Sequence, residues 1–334
     1  MSVLVNPAAD TAAVPAPSGD AAAFHASLDG YAPTPVRELP RIAAELGLGA
    51  VLLKDESDRL GLPAFKVLGA SWATERALRE QPGAHEIVAA SAGNHGRAVA
   101  HVAARRGLRC RIFLPARSLA ARREAIASEG AEVVVVDGGY EEAVAQADAA
   151  REQDGVLLVA DVGESGPAAW VIDGYATLFD EAAAQAGYDV LLVPVGVGSL
   201  AAAAARHGAA AGVPVIGVEP VTAACLTASL AAGRPATVAT PGTTMAGLDC
   251  AEVSPAAWPS LRAGIHATVT VDDAQAAAAM RELADEGLSI GEAGAATLAG
   301  LRTLMADPGA LATVADLGPA TRVLLVATEG RTGG

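Results

Sequence analysis

Only two of the 23 basic residues in this chain of 334 are lysines, Lys54 and Lys66; the rest are arginines. A guanidinium stays protonated at any physiological pH, whereas a buried ammonium can lose its proton and attack a carbonyl. Lys66 sits in Gly61-Leu62-Pro63-Ala64-Phe65-Lys66-Val67-Leu68-Gly69-Ala70, a glycine-flanked turn running into a helix, and is the candidate for amine chemistry. Lys54 reads as a lysine spared at random by a composition that favours arginine.

Three further groups could hold a ligand. Ser91-Ala92-Gly93-Asn94-His95-Gly96 follows a strand and opens a helix, so small residues admit a ligand to backbone N–H groups and a helix dipole that suit a carboxylate. The same residues also fit a plain strand-to-helix turn capped by Asn94. Gly196-Val197-Gly198-Ser199, after Leu191-Leu192-Val193-Pro194-Val195, is a glycine loop at a helix start that could bind phosphate without a lysine. Its Gly196-x-Gly198-x-x-Ala201 spacing, with Glu219 ending the next strand, also matches a loose dinucleotide fingerprint, but lies past mid-chain after a full series of βα units. Thr328 ends the last strand, where a hydroxyl faces the ligand crevice of an open sheet and can bond a ring nitrogen. The histidines show no metal-ligand spacing, and Cys110, Cys225 and Cys250 form no C-x-x-C pair, which suits buried thiols in a reducing compartment.

The elements that must carry these residues alternate regularly. Strands are expected at Ile87–Ala90, Cys110–Leu114, Val133–Val136 and Val156–Ala160, with helices at Asn94–Arg106, Ser118–Ser128 and Tyr140–Glu152 between them. A long helix over Ala168–Ala186 is followed by a strand at Val190–Val195, a helix at Leu200–Ala211 and a strand at Val215–Glu219. Helices at Asp273–Glu286 and Glu292–Met305 precede the last strand, Val323–Ala327. This is the pattern of βαβ units and parallel sheets buried on both faces. The Pro-, Gly- and Thr-rich segment 235–260 reads as a loop that lines something, residues 1–34 as a flexible arm, and 331–334 as a flexible tail.

Hydrophobic residues make up 52% of the chain, aromatics only 3%, and the net charge is −15, which describes an alanine-filled α/β enzyme and disfavours nucleic acid and anionic membranes as partners. No signal peptide or membrane span is visible, so the cytoplasm is the expected location.

In order and kind, these motifs resemble the fold-type II pyridoxal-phosphate enzymes, and within them the diaminopropionate ammonia-lyases. Lys54-Asp55-Glu56-Ser57, Gly61 to Lys66, Gly174-Tyr175-Ala176-Thr177, Gly196 to Ser199, Val218-Glu219-Pro220, Met245-Ala246-Gly247-Leu248 and Gly291-Glu292-Ala293-Gly294-Ala295 carry the likeness over about residues 35 to 330. The resemblance implies a two-lobed α/β fold, each lobe an open, mostly parallel sheet flanked by helices. Residues 35–70 and 157–330 would form a large cofactor-binding domain and 71–156 a small inserted one. It implies pyridoxal 5′-phosphate as cofactor and no metal. Lys66 would form an imine with the cofactor aldehyde and shuttle protons, and Phe65 would pack beside the ring. Asn94 would bond the 3′-oxygen, Gly196, Val197, Gly198 and Ser199 would cradle the phosphate, and Thr328 would contact the pyridine nitrogen. Ser91, Ala92, Gly93 and His95 would border the substrate carboxylate.

The family's aspartate for the D-isomer is replaced by Ala92, as in serine and threonine dehydratases; its aspartate for the L-isomer matches Asp161, whose pKa burial would move toward neutrality. Gly163-Glu164-Ser165-Gly166-Pro167 departs from the family pattern. The expected reaction is α,β-elimination from a β-substituted amino acid, L-2,3-diaminopropionate giving pyruvate and ammonia, by a homodimer. A serine/threonine dehydratase, a β-replacement synthase and a non-catalytic binding protein are the alternatives.

Overall fold

Runs such as Leu191-Leu192-Val193 and Val323-Leu324-Leu325 are wholly buried, as strands covered by helices on both faces must be. The computed structural model describes residues 3–307, 309 and 317–331. In chain order the elements are β1 (Val3–Val5), α1 (Ala21–Ala26), β2 (Val36–Glu38), α2 (Pro40–Leu46), β3 (Ala50–Asp55), α3 (Val67–Glu80), β4 (Glu86–Ala90), α4 (Asn94–Arg105), β5 (Arg109–Pro115), α5 (Ala120–Ala127), β6 (Glu132–Val136), α6 (Tyr140–Arg151) and β7 (Val156–Leu158). They continue with α7 (Pro167–Gln185), β8 (Val190–Pro194), α8 (Ser199–Ala211), β9 (Val215–Pro220), α9 (Cys225–Ala232), α10 (Trp258–Gly264), β10 (Ile265–Val271), α11 (Asp273–Asp285), α12 (Glu292–Met305) and β11 (Arg322–Ala327).

Two sheets result. The larger has the order β1-β10-β9-β8-β11-β3-β2, parallel from β10 to β3, with β1 and β2 antiparallel at its edges. The smaller, β6-β5-β4-β7, is parallel throughout. Leu157 and Leu158 pair with Ile87 and Val88 and so belong to the smaller sheet, whereas the sequence reading ended the small lobe at 156. The chain therefore starts the larger sheet, leaves to build the smaller one, and returns.

Residues 3–34 are not the loose arm that their composition suggests. Val3–Val5 pair with Val269–Ala267, and His25 is buried between α3 and α7, where its Nδ1 lies 2.7 Å from Thr177 Oγ1 and its Nε2 3.0 Å from the Leu68 carbonyl. Burial holds this imidazole down to about 4, so it is neutral. Single polar anchors of this kind leave no periodic trace. At the other end, Arg331 N–H donates to the Ser289 carbonyl, and residues 332–334 lie outside the described residues.

Lys54 is not a random survivor either. Its side chain is fully buried, and Nζ donates to Glu181 Oε2 and the Thr34 carbonyl, each at 2.6 Å. Arg59 donates to both Glu56 and Glu181, so two cations and two carboxylates balance inside the larger lobe and tie down Thr34 and Tyr31. Balanced pairing with full hydrogen bonding is what permits buried charge.

α3 and α7 cross at bare backbone. A Cβ at Gly69 would lie 2.6 Å from the Tyr175 ring, and one at Gly174 2.7 Å from the Leu68 carbonyl. That close approach presses Tyr175 against Phe65, ring centroids 4.7 Å apart, directly beside Lys66.

Candidate active site

Each sequence-selected group lies on the connection that follows the C-terminal end of a parallel strand: Lys66 after β3, Ser91–Gly96 after β4, Asp161 after β7, Gly196–Ser199 after β8 and Thr328 after β11. The open ends of parallel strands form the ligand crevice of such sheets. Because β4 and β7 belong to one sheet and β3, β8 and β11 to the other, the crevice lies between the lobes.

At its centre Lys66 Nζ donates to Asp161 Oδ2 at 3.2 Å; the two side chains are 20% and 15% exposed. Nζ also lies 5.4 Å from the centre of the Phe65 ring and 5.8 Å from that of Tyr175. Burial works against the lysine's charge, while the Tyr175 oxygen and the Asp161 carboxylate favour it, and the balance sits above the ordinary lysine value. Burial also pushes the Tyr175 hydroxyl up to about 12, so at neutral pH it is uncharged and the anion acting on Lys66 is Asp161.

Asp161 reverses the expectation drawn from burial. Burial pushes its carboxyl up, but His95 and Lys66 nearby and the Lys66 hydrogen bond pull it down to about 2. His95 is itself shifted down by burial, and Lys66 adds to its effect both through its charge and through the hydrogen bond. In this state the pair is ammonium and carboxylate, and the carboxylate becomes basic only once that ammonium is gone.

His95, on the first turn of α4, faces the same carboxylate. Its Nε2 lies 3.0 Å from the Val159 carbonyl, its Nδ1 is 3.9 Å from Asp161 Oδ2, and Nδ1 is buried without a hydrogen-bond partner. The Tyr175 hydroxyl is a second buried orphan at this spot. Buried polar atoms left unpaired beside a crevice indicate groups that a ligand completes.

The glycine loop is built for a close ligand. Gly198 has φ +91°, a backbone that L side chains rarely adopt, and α8 begins there with no side-chain cap, leaving its first-turn N–H groups for an anion. The Ser199 hydroxyl donates to the Asp161 carbonyl at 3.0 Å, so this loop and the segment carrying Asp161 hold each other. Gly93 opens α4 equally uncapped, and a Cβ there would meet nothing closer than Ser91 Oγ at 3.9 Å. Ser91 Oγ accepts from the Gly93 N–H at 3.3 Å, and Ala92 is half-buried. Thr328 is buried, and its carbonyl accepts from Phe65 N–H at 3.4 Å.

Asn94, expected to meet a cofactor oxygen, has a protein partner at the crevice. Its Nδ2 donates to Glu329 Oε2 at 2.6 Å, linking the smaller lobe to the last strand of the larger one. The sequence reading passed over Glu329 because its role depends on two strand ends meeting. Tyr175 was read only as part of a motif, and two further groups were missed. Tyr140 at the start of α6, which remains 39% exposed, and Cys250 in the 235–260 loop both feel the charges of Asp161 and Lys66, and burial raises the Cys250 thiol to about 12. Their distances in sequence from Lys66 gave no signal. Trp170, on the first turn of α7, carries the Arg76 guanidinium 5.5 Å above its ring.

Comparison with known proteins agrees with this geometry. The model of a family described as pyridoxal-phosphate dependent enzyme matches residues 28–329. The diaminopropionate ammonia-lyase of Salmonella typhimurium is 34% identical over 355 residues, covering 93% of this chain and 88% of that protein. The crystal structure of the Escherichia coli diaminopropionate ammonia lyase, in complex with an aminoacrylate-PLP azomethine reaction intermediate, superimposes with a TM-score of 0.89 at 31% identity, over 99% of this chain and 94% of that one. A tomato threonine deaminase at 23% identity shares the fold, with a TM-score of 0.83. With the lysine, the glycine loop and the strand-end hydroxyl converging between two parallel sheets, the chain belongs to the pyridoxal-phosphate dependent enzymes.

Proposed function

We infer that the protein is an ammonia-lyase that eliminates ammonia from L-2,3-diaminopropionate to give pyruvate and a second ammonia. The observation that carries this reading is the likeness to diaminopropionate ammonia-lyases over nearly the whole of both chains, and Lys66 and Asp161 facing each other between the two sheets support it.

The residues fit pyridoxal phosphate. A primary amine stands between two lobes, an uncapped helix start with a positive-φ glycine offers phosphate donors, and two buried polar atoms beside the amine lack partners. Lys66 would hold the cofactor covalently, Gly196, Val197, Gly198 and the Ser199 backbone its phosphate, Thr328 its ring nitrogen and Phe65 the flank of its ring. Asn94 would exchange Glu329 for the cofactor's ring oxygen. When bound, the cofactor supplies a sink for the electron pair left when Cα–H breaks.

The chain's own groups do the rest. Ser91 and the amides at Gly93 hold the substrate carboxylate at the start of α4. Asp161, released from the ammonium of Lys66, takes the Cα proton of the L-isomer. Ala92 offers no carboxylate on the opposite side, which favours L over D substrate. The same residue supports a second reading, a serine or threonine dehydratase, and the biosynthetic L-threonine dehydratase of Escherichia coli is 31% identical over 82% of this chain and 52% of that protein. A cytoplasmic homodimer is the assembly we propose; no helix among the described residues is long and apolar enough to cross a membrane.

Keto-acid formation from L- and D-diaminopropionate, L-serine and L-threonine, measured in parallel, tests the reading. We expect the largest kcat/KM with L-diaminopropionate. A larger value with serine or threonine overturns it in favour of the dehydratase.

A further inference from the structure

Resting on the lyase reading, we propose that His95 is the proton store of the reaction: it receives on Nδ1 the proton that Asp161 takes from the substrate, and it acts only through that carboxylate.

The argument begins with the Val159 carbonyl. A carbonyl oxygen can only accept, so the 3.0 Å contact fixes the hydrogen of a neutral His95 on Nε2. Nδ1 is then a bare lone pair. It is buried, has no hydrogen-bond partner among the described residues, and sits 3.9 Å from Asp161 Oδ2. A lone pair facing an ionised carboxylate gains nothing. A lone pair facing a protonated carboxyl is a hydrogen-bond acceptor at the end of a short rotation of that carboxyl. The arrangement is therefore unfavourable before proton abstraction and complementary after it, which is how a group assists a step and not the resting state.

His25 in the same chain, a structural histidine, has both nitrogens engaged, Nδ1 with Thr177 and Nε2 with Leu68 and Ser71. His101 Nε2 is also buried and unpaired, on a helix face where its other nitrogen meets Glu129; what distinguishes His95 is that its bare nitrogen lies 3.9 Å from the carboxylate beside Lys66.

The charged groups facing His95 are Asp161 and Lys66. Burial lowers its basicity, Asp161 raises it and Lys66 lowers it. Once Lys66 no longer carries a free ammonium, the carboxylate's influence remains without its opponent. The buried Tyr175 hydroxyl and the Cys250 thiol near the same carboxylate are both raised by burial, so neither competes for the proton as an anion at neutral pH.

The step balances. The Cα–H bond breaks, and its electron pair stays with the substrate and is taken up by the bound pyridoxal phosphate. The proton passes to Asp161 Oδ2 and on to His95 Nδ1. The carboxylate is regenerated, and the imidazole becomes an imidazolium still bonded to Val159. The proton returns through Asp161 to the amino group departing from Cβ, which leaves as ammonia while the electron pair flows back to form the carbon–carbon double bond.

Two measurements test this on the holoenzyme. ¹⁵N NMR of histidine-labelled protein, with His95 assigned by difference against the His95→Gln variant, reads the tautomer directly; we expect neutral His95 protonated on Nε2 between pH 6 and 8. A hydrogen on Nδ1 overturns the proposal whatever the activity. Kinetics of His95→Gln form the second. A glutamine amide can still donate to Val159 but cannot take a proton, so we expect unchanged cofactor absorbance and a fall in kcat on the order of 10²-fold. The acid limb of the kcat/KM profile should also move to lower pH, because Asp161 alone then sets it, and a merely structural role would not move it. Variant turnover within twofold of wild type with the same acid limb overturns the proposal while leaving the lyase reading intact. Wild-type protein that carries cofactor but forms no keto acid from diaminopropionate defeats the lyase reading itself and the proposal with it.

Discussion

The Lys66 ammonium and Asp161 Oδ2 face each other at 3.2 Å across the junction of the two lobes, and neither is more than 20% exposed. Each sets the other's charge state, so the base is masked until the amine is used. Asp161→Asn removes the proposed proton acceptor while leaving the side chain's shape. The expected result is retained cofactor absorbance with kcat lower by about 10²- to 10⁴-fold, read by keto-acid formation. Unchanged turnover would remove Asp161 from the role.

The same pair has a pH signature in the cofactor-free protein. An ordinary aspartate titrates near 3.9, and Asp161 is held down to about 2. A depressed carboxylate stabilises the folded state above the unfolded pKa, and that contribution is lost as pH falls toward the folded value. Between about pH 4 and 2 the wild type should therefore lose stability more steeply than Asp161→Asn, measured by urea unfolding of the two apoproteins across that window.

The two lysines should separate cleanly. Lys54→Met removes one of two buried cations facing Glu56 and Glu181, leaving Arg59 alone against two carboxylates, and should cost about 3–5 kcal/mol of unfolding free energy. Lys66→Ala should leave stability much nearer wild type but abolish turnover and borohydride-fixable cofactor. Thermal unfolding and reduction followed by mass analysis give the two readouts; labelling of Lys54 in the wild type would contradict the assignment.

Gly69→Ala tests the link between packing and site. The added methyl would lie 2.6 Å from Tyr175 Cε1 and 2.8 Å from Val171 Cγ1. Overpacking of this kind costs typically about 1–3 kcal/mol, and because the displaced ring flanks Phe65 and Lys66, cofactor affinity should fall with it. Unfolding curves and a pyridoxal-phosphate titration would show both effects together.

Gly198→Ala places a Cβ 2.5 Å from Leu261 Cδ1 at a φ of +91°. The loop must shift, and the N–H groups at the start of α8 lose their aim at the phosphate. We expect at least tenfold weaker cofactor binding by absorbance titration, with the effect of Asp161→Asn on binding much smaller.

What the sequence determined by itself is local or periodic. The βα alternation after β4, the two glycine loops at helix starts and the choice of Lys66 as the candidate amine follow from residue type and spacing, because strand and helix periods and helix-start chemistry are written in neighbouring residues. What the tertiary structure decided depends on groups far apart in the chain. Asn94 meets Glu329, Tyr175 and Cys250 join Lys66, and His25 and Thr34 convert an apparently loose amino-terminal stretch into packed structure. The depressed Asp161 is the clearest case: burial alone predicts the opposite shift, and His95 at the start of α4 together with the Lys66 ammonium, which the loop after β3 sets against the loop after β7, reverses it.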